Sequence, residues 1–173
     1  NDDLLALYSF SGGVPKYVEL FCDNRVLTVD GMIDFMVRDN SPFTDEGKNL
    51  LIEEFGKNYG TYFSILSAIS GGYNTQTEIE ALLGEKSLGG YLKRLIEDYN
   101  IVVRQRPVFS KEGSQTVRYE ICDNFIHFWF NYFDRNRSLI EIKNFVGLRK
   151  LIKADYPTYS GKILEQYFKQ KYA

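Results

Sequence analysis

Apolar positions recur at helical spacing through the first third of the chain, separated by short polar or glycine-rich breaks. Asp2 and Asp3 precede Leu4, Leu5, Leu7 and Tyr8, and the pattern resumes after Gly12-Gly13-Val14-Pro15 with Tyr17, Val18, Leu20 and Phe21. Two glycines permit a left-handed backbone, and a proline just beyond them suits the first turn of a helix, where its missing N–H costs nothing. A third helix is predicted from Thr28, carrying Met32, Ile33, Phe35 and Met36. A fourth is predicted from Thr44, carrying Leu50, Leu51, Ile52 and Phe55 after a break at Ser41-Pro42. Residues 1–56 therefore read as a bundle of short helices.

The period changes within residues 57–122. Tyr62, Phe63, Ile65, Leu66 and Ile69 form a helical face ending at Gly71-Gly72. Thr77 and Glu80 stand at the spacing of a capping box ahead of a short helix with Ile79, Leu82 and Leu83 inward and Gly84 as terminator. Ser87 is the expected cap of the next helix, whose core positions are Leu88, Leu92, Leu95 and Ile96. From Ile101 to Phe109 β-branched residues dominate, and Val117, Tyr119 and Ile121 alternate with Thr116, Arg118 and Glu120, as in an antiparallel strand with one buried face. Ser110 to Ser114 is the polar hairpin tip between them. Three helices, a strand, a turn and a strand make a winged helix-turn-helix, and the fold class is mainly α with a small antiparallel β wing.

Asp123 is a good N-cap for a third unit, residues 123–173. Phe125, Ile126, Phe128, Trp129, Phe130, Tyr132 and Phe133 make its first helix apolar nearly all round, so it must be enclosed by other protein. An aromatic ligand box is the alternative to core packing there. His127 reads as a satisfied buried imidazole or a rim residue. Phe145, Leu148, Leu151 and Ile152 then share a helix, Tyr156-Pro157 is the expected break, and Gly161 opens a last helix with Ile163, Leu164, Tyr167 and Phe168 inward. That apolar stripe predicts further protein against it.

Composition adds two points. With 173 residues, 44% apolar, the chain can fill a substantial core, and neither a membrane-spanning run nor a signal peptide is evident, which gives a cytoplasmic expectation. Cys22 and Cys122 are expected to be buried, reduced thiols, and with a single histidine no metal set is argued. Charge is segregated: residues 1–56 hold eleven acids and four bases, residues 86–118 seven bases and three acids, and residues 135–173 nine bases and three acids. Nucleic-acid contact by the basic parts and pairing between acidic and basic parts account for this equally well.

Gly12-Gly13-Val14-Pro15-Lys16-Tyr17, the winged helix, Asp123 to Phe130 and Tyr159-Ser160-Gly161-Lys162-Ile163-Leu164-Glu165, in that order, resemble prokaryotic AAA+-like ATPases related to the STAND class. Those proteins carry a winged helix and a restriction-endonuclease-like C-terminal domain. The resemblance implies a helical lid remnant, then the winged helix-turn-helix, then a C-terminal helical connector into a truncated domain. It implies that Gly13 and Pro15 border a bound nucleotide, with Lys16 able to add charge near phosphate. It also implies ATP and Mg as cofactors of an intact parent whose N-terminal ATPase domain is missing here, in keeping with a chain that opens at Asn1. No Gly-x-x-x-x-Gly-Lys-Ser/Thr loop occurs, so this chain is expected to be noncatalytic and to need no cofactor of its own. Glu165 matches a glutamate that can assist metal binding in the nuclease-like fold, but without a carboxylate cluster it reads as a solvated helix residue.

Double-stranded DNA is the other expected partner. Lys93 and Arg94 lie off the apolar stripe of the third helix, Arg104, Arg106 and Arg118 decorate the strands, and Lys111 sits at the wing tip. A strip of this kind binds phosphates without reading bases, and Gly89 and Gly90 leave little side chain where base reading normally occurs. A freestanding winged-helix transcription regulator is the competing reading.

Overall fold

The structure, a computed structural model, describes residues 2–105 and 117–172. Helices α1 (Asp2–Ser11), α2 (Pro15–Asp23), α3 (Val29–Met36) and α4 (Phe43–Phe55) come first, followed by a 3-10 turn. Then come α5 (Tyr59–Ser70), α6 (Gln76–Leu83) and α7 (Gly89–Glu97), an antiparallel pair β1 (Val102–Gln105) and β2 (Arg118–Ile121), and α8 (Asn124–Trp129). A π-helical turn (Phe130–Asp134), α9 (Arg137–Glu141) and the 28-residue α10 (Phe145–Tyr172) complete the chain. The protein is mainly α with a small antiparallel β wing. The expected hairpin tip at Ser110 to Ser114 lies outside the described residues.

Capping chemistry accounts for several helix ends. Thr28 caps α3 by accepting from the Gly31 N–H at 3.1 Å, and Asp3 accepts from the next free amide, that of Val29, at 2.9 Å. Gly84 ends α6 in a left-handed conformation, as expected. The α6 capping box is formed by Thr75 and Glu78, not by Thr77 and Glu80. Two overlapping boxes exist in the sequence, and Asn74 selects the first: its carbonyl accepts from the Tyr119 amide of β2 at 2.7 Å, anchoring the chain just ahead of Thr75. Glu80 is thereby free to accept from the Leu88 amide at 2.8 Å and cap α7 from outside. Ser87, the expected cap, instead takes a φ of +68° in the turn, and Leu82 is exposed rather than inward.

The α8 helix is the centre of the molecule, and its aromatic residues pack as core. Phe125, Phe128, Trp129 and Phe130 are at most 2% exposed. Trp129 Nε1 donates to the carbonyls of Phe43 at 3.1 Å and Thr44 at 3.3 Å, and its ring lies against Gly47 of α4. Phe10 of α1 packs on Phe128 at 4.7 Å between ring centres, and Phe63 of α5 on Phe130 at 5.1 Å. One contiguous set of buried residues runs from Ala6 to Ile163.

Pro157 does not break the last helix, and Gly161 lies inside α10 rather than at its start. An internal proline costs about 3 kcal/mol through a lost hydrogen bond and a ring clash. Packing on both sides offsets it: Tyr156 packs at a tilt against Phe10 and donates to the Asp2 carbonyl at 3.1 Å, while Tyr159 and Ile163 are buried, Tyr159 against Phe128 and Tyr132. Cys22 is exposed, contrary to expectation, because Tyr17 and Phe21 one turn apart face the core and Cys22 falls off that stripe.

The segregated charges meet across the fold. Lys153 of α10 reaches Asp30 at 3.2 Å and Asp34 at 3.0 Å, Arg149 reaches Asp34 at 3.7 Å, and Lys143 reaches Asp39 at 3.2 Å. Acidic α3 is thus paired with basic α10. These pairs are solvent-facing, so each contributes little alone.

Two predictions follow from this packing. A Cβ at Gly47 would lie 2.2 Å from Trp129 Cδ2, whereas one at Gly161 meets nothing within 4 Å. Urea denaturation is therefore expected to show Gly47→Ala destabilising by about 1–3 kcal/mol through overpacking, and Gly161→Ala stabilising by about 1 kcal/mol through helix propensity. The second concerns His127, whose burial, with the charges of Lys162 and Arg135, holds its pKa down at about 4 against an ordinary 6.5. The unfolded chain then binds the proton more readily, so this contribution is full above pH 6.5 and lost as pH falls through 4. Each unit of separation is worth about 1.4 kcal/mol, and a urea midpoint measured against pH is expected to fall less steeply for His127→Gln.

Candidate functional site

The corner between α1 and α2 carries the residues that the family resemblance singles out. Gly12 and Gly13 take φ values of +63° and +76°, a conformation that side chains with a Cβ resist. Backbone bonds close the turn: the Gly12 amide donates to Tyr8 O at 2.9 Å and the Val14 amide to Ser11 O at 3.1 Å. Ser11 Oγ accepts from the Gly13 amide at 3.1 Å while donating to Leu7 O at 2.6 Å. Pro15 then heads α2. Gly13, Val14 and Pro15 are exposed, and a Cβ on Gly13 would meet nothing within 4 Å, so the corner presents backbone and a ring edge outward.

Its inner side is held by α8 and α4. Gly12 lies over the first turn of α8, 3.6 Å from the Phe125 amide as measured to an added Cβ, and Asn124 Nδ2 donates to Tyr8 O at 3.4 Å. Tyr17 stacks on Phe125 with ring centres 4.2 Å apart at 24°. Glu46 Oε1 accepts from both Lys16 Nζ at 2.5 Å and Tyr17 Oη at 3.0 Å. Burial raises the Tyr17 pKa well above its ordinary value, and the Glu46 charge adds to it. Lys16 is thus engaged by Glu46, although its side chain remains 67% exposed. Glu46 was not singled out from sequence, and Phe125 was read only as part of an apolar helix; their contacts with Tyr17 were not legible, because each lies far along the chain from it and no local spacing links them.

From this corner a short path leads to the wing. Asp123 caps α8 by accepting from the Ile126 amide at 2.8 Å, and burial raises its carboxyl pKa against the lowering effect of those backbone bonds. Cys122 Sγ donates to Asn100 O at 3.3 Å, and the Cys122 amide continues the ladder to Ile101 O at 2.8 Å. Two residues, Cys122 and Asp123, therefore join the end of β2 to the helix under the corner.

The expected basic residues are distributed rather than assembled. Lys93 and Arg94 are exposed on α7, each with a carboxylate one turn on: Lys93 with Glu97 at 3.6 Å and Arg94 with Asp98 at 3.1 Å. Arg104 pairs in register with Tyr119, and Arg118 with Gln105. Cross-strand partners share a face, so Arg104 lies on the face of Val102, Tyr119 and Ile121, and Arg118 on the opposite face with Val103 and Glu120. Arg106 and Lys111 lie outside the described residues. Glu165 is exposed on α10 and paired with Lys169 at 2.6 Å. Among the described residues no group of acidic, histidine and cysteine side chains is placed to hold a metal ion, and no helix is long and apolar enough to cross a membrane.

The chain is 33% identical over 178 residues to an uncharacterized protein of Methanocaldococcus jannaschii, an alignment that takes in 98% of this chain and 37% of that protein. The chain thus spans little more than a third of that relative's length. No family model and no solved structure matches it.

The glycine corner gives a direct test. Gly12→Ala and Gly13→Ala are each expected to lower stability by about 1–2 kcal/mol from the left-handed backbone alone, and Gly13→Asn by less, measured by urea denaturation.

Proposed function

We propose that these residues are the noncatalytic C-terminal portion of a prokaryotic AAA+-like ATP-binding protein, with a nucleotide-sensing lid corner and a winged helix that relays its state. One observation carries the reading: the exposed Gly13-Val14-Pro15 corner is stacked through Tyr17 on Phe125, at the start of a helix that continues directly from β2. A ligand against the outer side of the corner would bear on Tyr17 and Phe125, and through α8 on the wing. The archaeal relative supports a module of this kind, since its matching region sits within a much longer chain.

In the parent protein ATP and Mg would be held by a P-loop domain, with Gly13 and Pro15 contributing backbone and ring surface beside the nucleotide. Relay is favoured over DNA contact as the role of the wing. Arg104 and Arg118 face opposite sides of the sheet, and Lys93 and Arg94 already have carboxylate partners. Exposed pairs of this kind hold their cations only weakly, so it is the split of Arg104 and Arg118 between two faces that counts against one phosphate-binding strip.

The complete reading frame, expressed as one protein, tests this. It is expected to contain a P-loop and to bind a fluorescent ATP analogue. Gly13→Val is expected to weaken that binding about tenfold, the equivalent of about 1.4 kcal/mol. Nucleotide is also expected to slow hydrogen exchange at the amides of β2 and α8. A reading frame without a P-loop, or stoichiometric ATP turnover by residues 1–173 alone, would overturn the proposal.

A further inference from the structure

A concavity lies on the other side of α8, away from the glycine corner. It is a cleft of about 620 Å³ bounded by the end of α5, the π-helical turn and the middle of α10. That volume is in the range of small-molecule sites. Its chemistry is not that of an ordinary apolar pocket: Leu151 is the one aliphatic side chain among the described residues that line it.

The floor is an aromatic and amide surface. His127 stacks against Tyr159 with ring centres 5.5 Å apart at 22°, and its Nδ1 lies 3.2 Å from Tyr159 Oη. Asn131 sits one turn on, its Nδ2 3.2 Å from His127 Nε2, and Ser70 Oγ donates to Asn131 Oδ1 at 3.2 Å. The π-helical turn brings Asn131 and Arg135 to the same opening, with the Arg135 amide donating to Phe130 O at 3.2 Å. Such turns lose regular helical bonding and are frequent at functional sites.

Two cations and one carboxylate complete the lining. Arg135 and Lys162 are exposed at the cleft and form no ion pair among the described residues, although Arg135 donates to the Ser70 carbonyl. Both line the same cleft as His127, and both charges act on its imidazole. Asp155 accepts from Tyr132 Oη at 2.6 Å and leaves its other oxygen for a hydroxyl donor. The local balance is one net positive charge, from Arg135 and Lys162 against Asp155.

We propose that this cleft binds a small phosphorylated sugar, with its phosphate between Arg135 and Lys162 and its hydroxyls on Asp155 and Asn131. Unpaired cations supply the charge-assisted bonds that a phosphate needs. The carboxylate and amides beside them would repel or waste a bare anion, yet they suit a ligand carrying hydroxyls. An apolar peptide or lipid finds too little hydrocarbon in this lining, and Asp155 disfavours the closely spaced charges of a nucleic-acid backbone.

His127 is the single histidine of the chain, so its imidazole signals in an NMR spectrum are unambiguous. Ribose 5-phosphate and glucose 6-phosphate are titrated into the protein at constant ionic strength, with ribose, glucose and inorganic phosphate as comparators. At least one sugar phosphate is expected to shift the His127 and Asn131 side-chain signals saturably, with an affinity about tenfold or more above that of inorganic phosphate. The free sugars are expected to leave the signals in place. Lys162→Gln, a surface change, is expected to weaken binding about tenfold without moving the urea midpoint, and Asp155→Asn to narrow the gap between sugar phosphate and inorganic phosphate. Saturation by neither sugar phosphate, affinity no better than that of inorganic phosphate, or undiminished binding by Lys162→Gln would each overturn the assignment.

Discussion

The indole of Trp129 sets the spacing on which the rest of the structure depends. Its ring occupies the room left by the missing side chain of Gly47, and its N–H is satisfied by carbonyls at the first turn of α4. A buried indole N–H without an acceptor would cost more than its bond contributes, so this contact fixes both the distance and the rotation of α8 against α4. Phe125, Phe128 and Phe130 are carried on the same short rod. Once Trp129 is seated, they can only point at α2, α1 and α5, where Tyr17, Phe10 and Phe63 meet them.

Two unlike forces therefore hold the N-terminal helices to the end of the chain. The aromatic contacts are dry and closely packed, and they carry the larger share of the stabilisation. The ion pairs of α3 with α10 lie at the surface, where water and salt weaken them. Their main effect is on orientation, since they place acidic α3 beside basic α10 and leave the opposite side of α10 to form the polar cleft. Part of the charge segregation along the sequence, that between residues 30–39 and residues 143–153, is taken up by this pairing, whereas the basic residues of 86–118, Arg135 and Lys162 are not part of it.

The glycine corner and the cleft lie on either side of α8 and differ in how they could be seen in advance. Gly12, Gly13 and Pro15 are consecutive or nearly so, and their conformational preferences are local, so the turn was legible from residue type alone. Its engagement by Phe125 and Glu46 was not, because nothing in the spacing of Tyr17 points to residues so distant. The cleft was hidden more thoroughly. His127 was readable as a buried or rim imidazole, but Ser70 ends α5 while Asp155 and Lys162 lie on α10, and only folding brings these stretches to one opening.

The chain by itself determined what depends on neighbours within a turn or two: the helix starts at Thr28 and Asp123, the stop at Gly84, the proline-led α2, and the alternating face of β2. These rest on backbone preferences and short-range hydrogen bonds that operate before any tertiary contact. The tertiary structure alone decided which of two overlapping capping boxes starts α6, since Tyr119 holds Asn74 in place. It also decided that α10 runs through Pro157, since Tyr156 and Tyr159 bury enough aromatic surface on either side to outweigh the broken bond. Where two local choices lie within a few kcal/mol of each other, a partner far away in sequence selects between them.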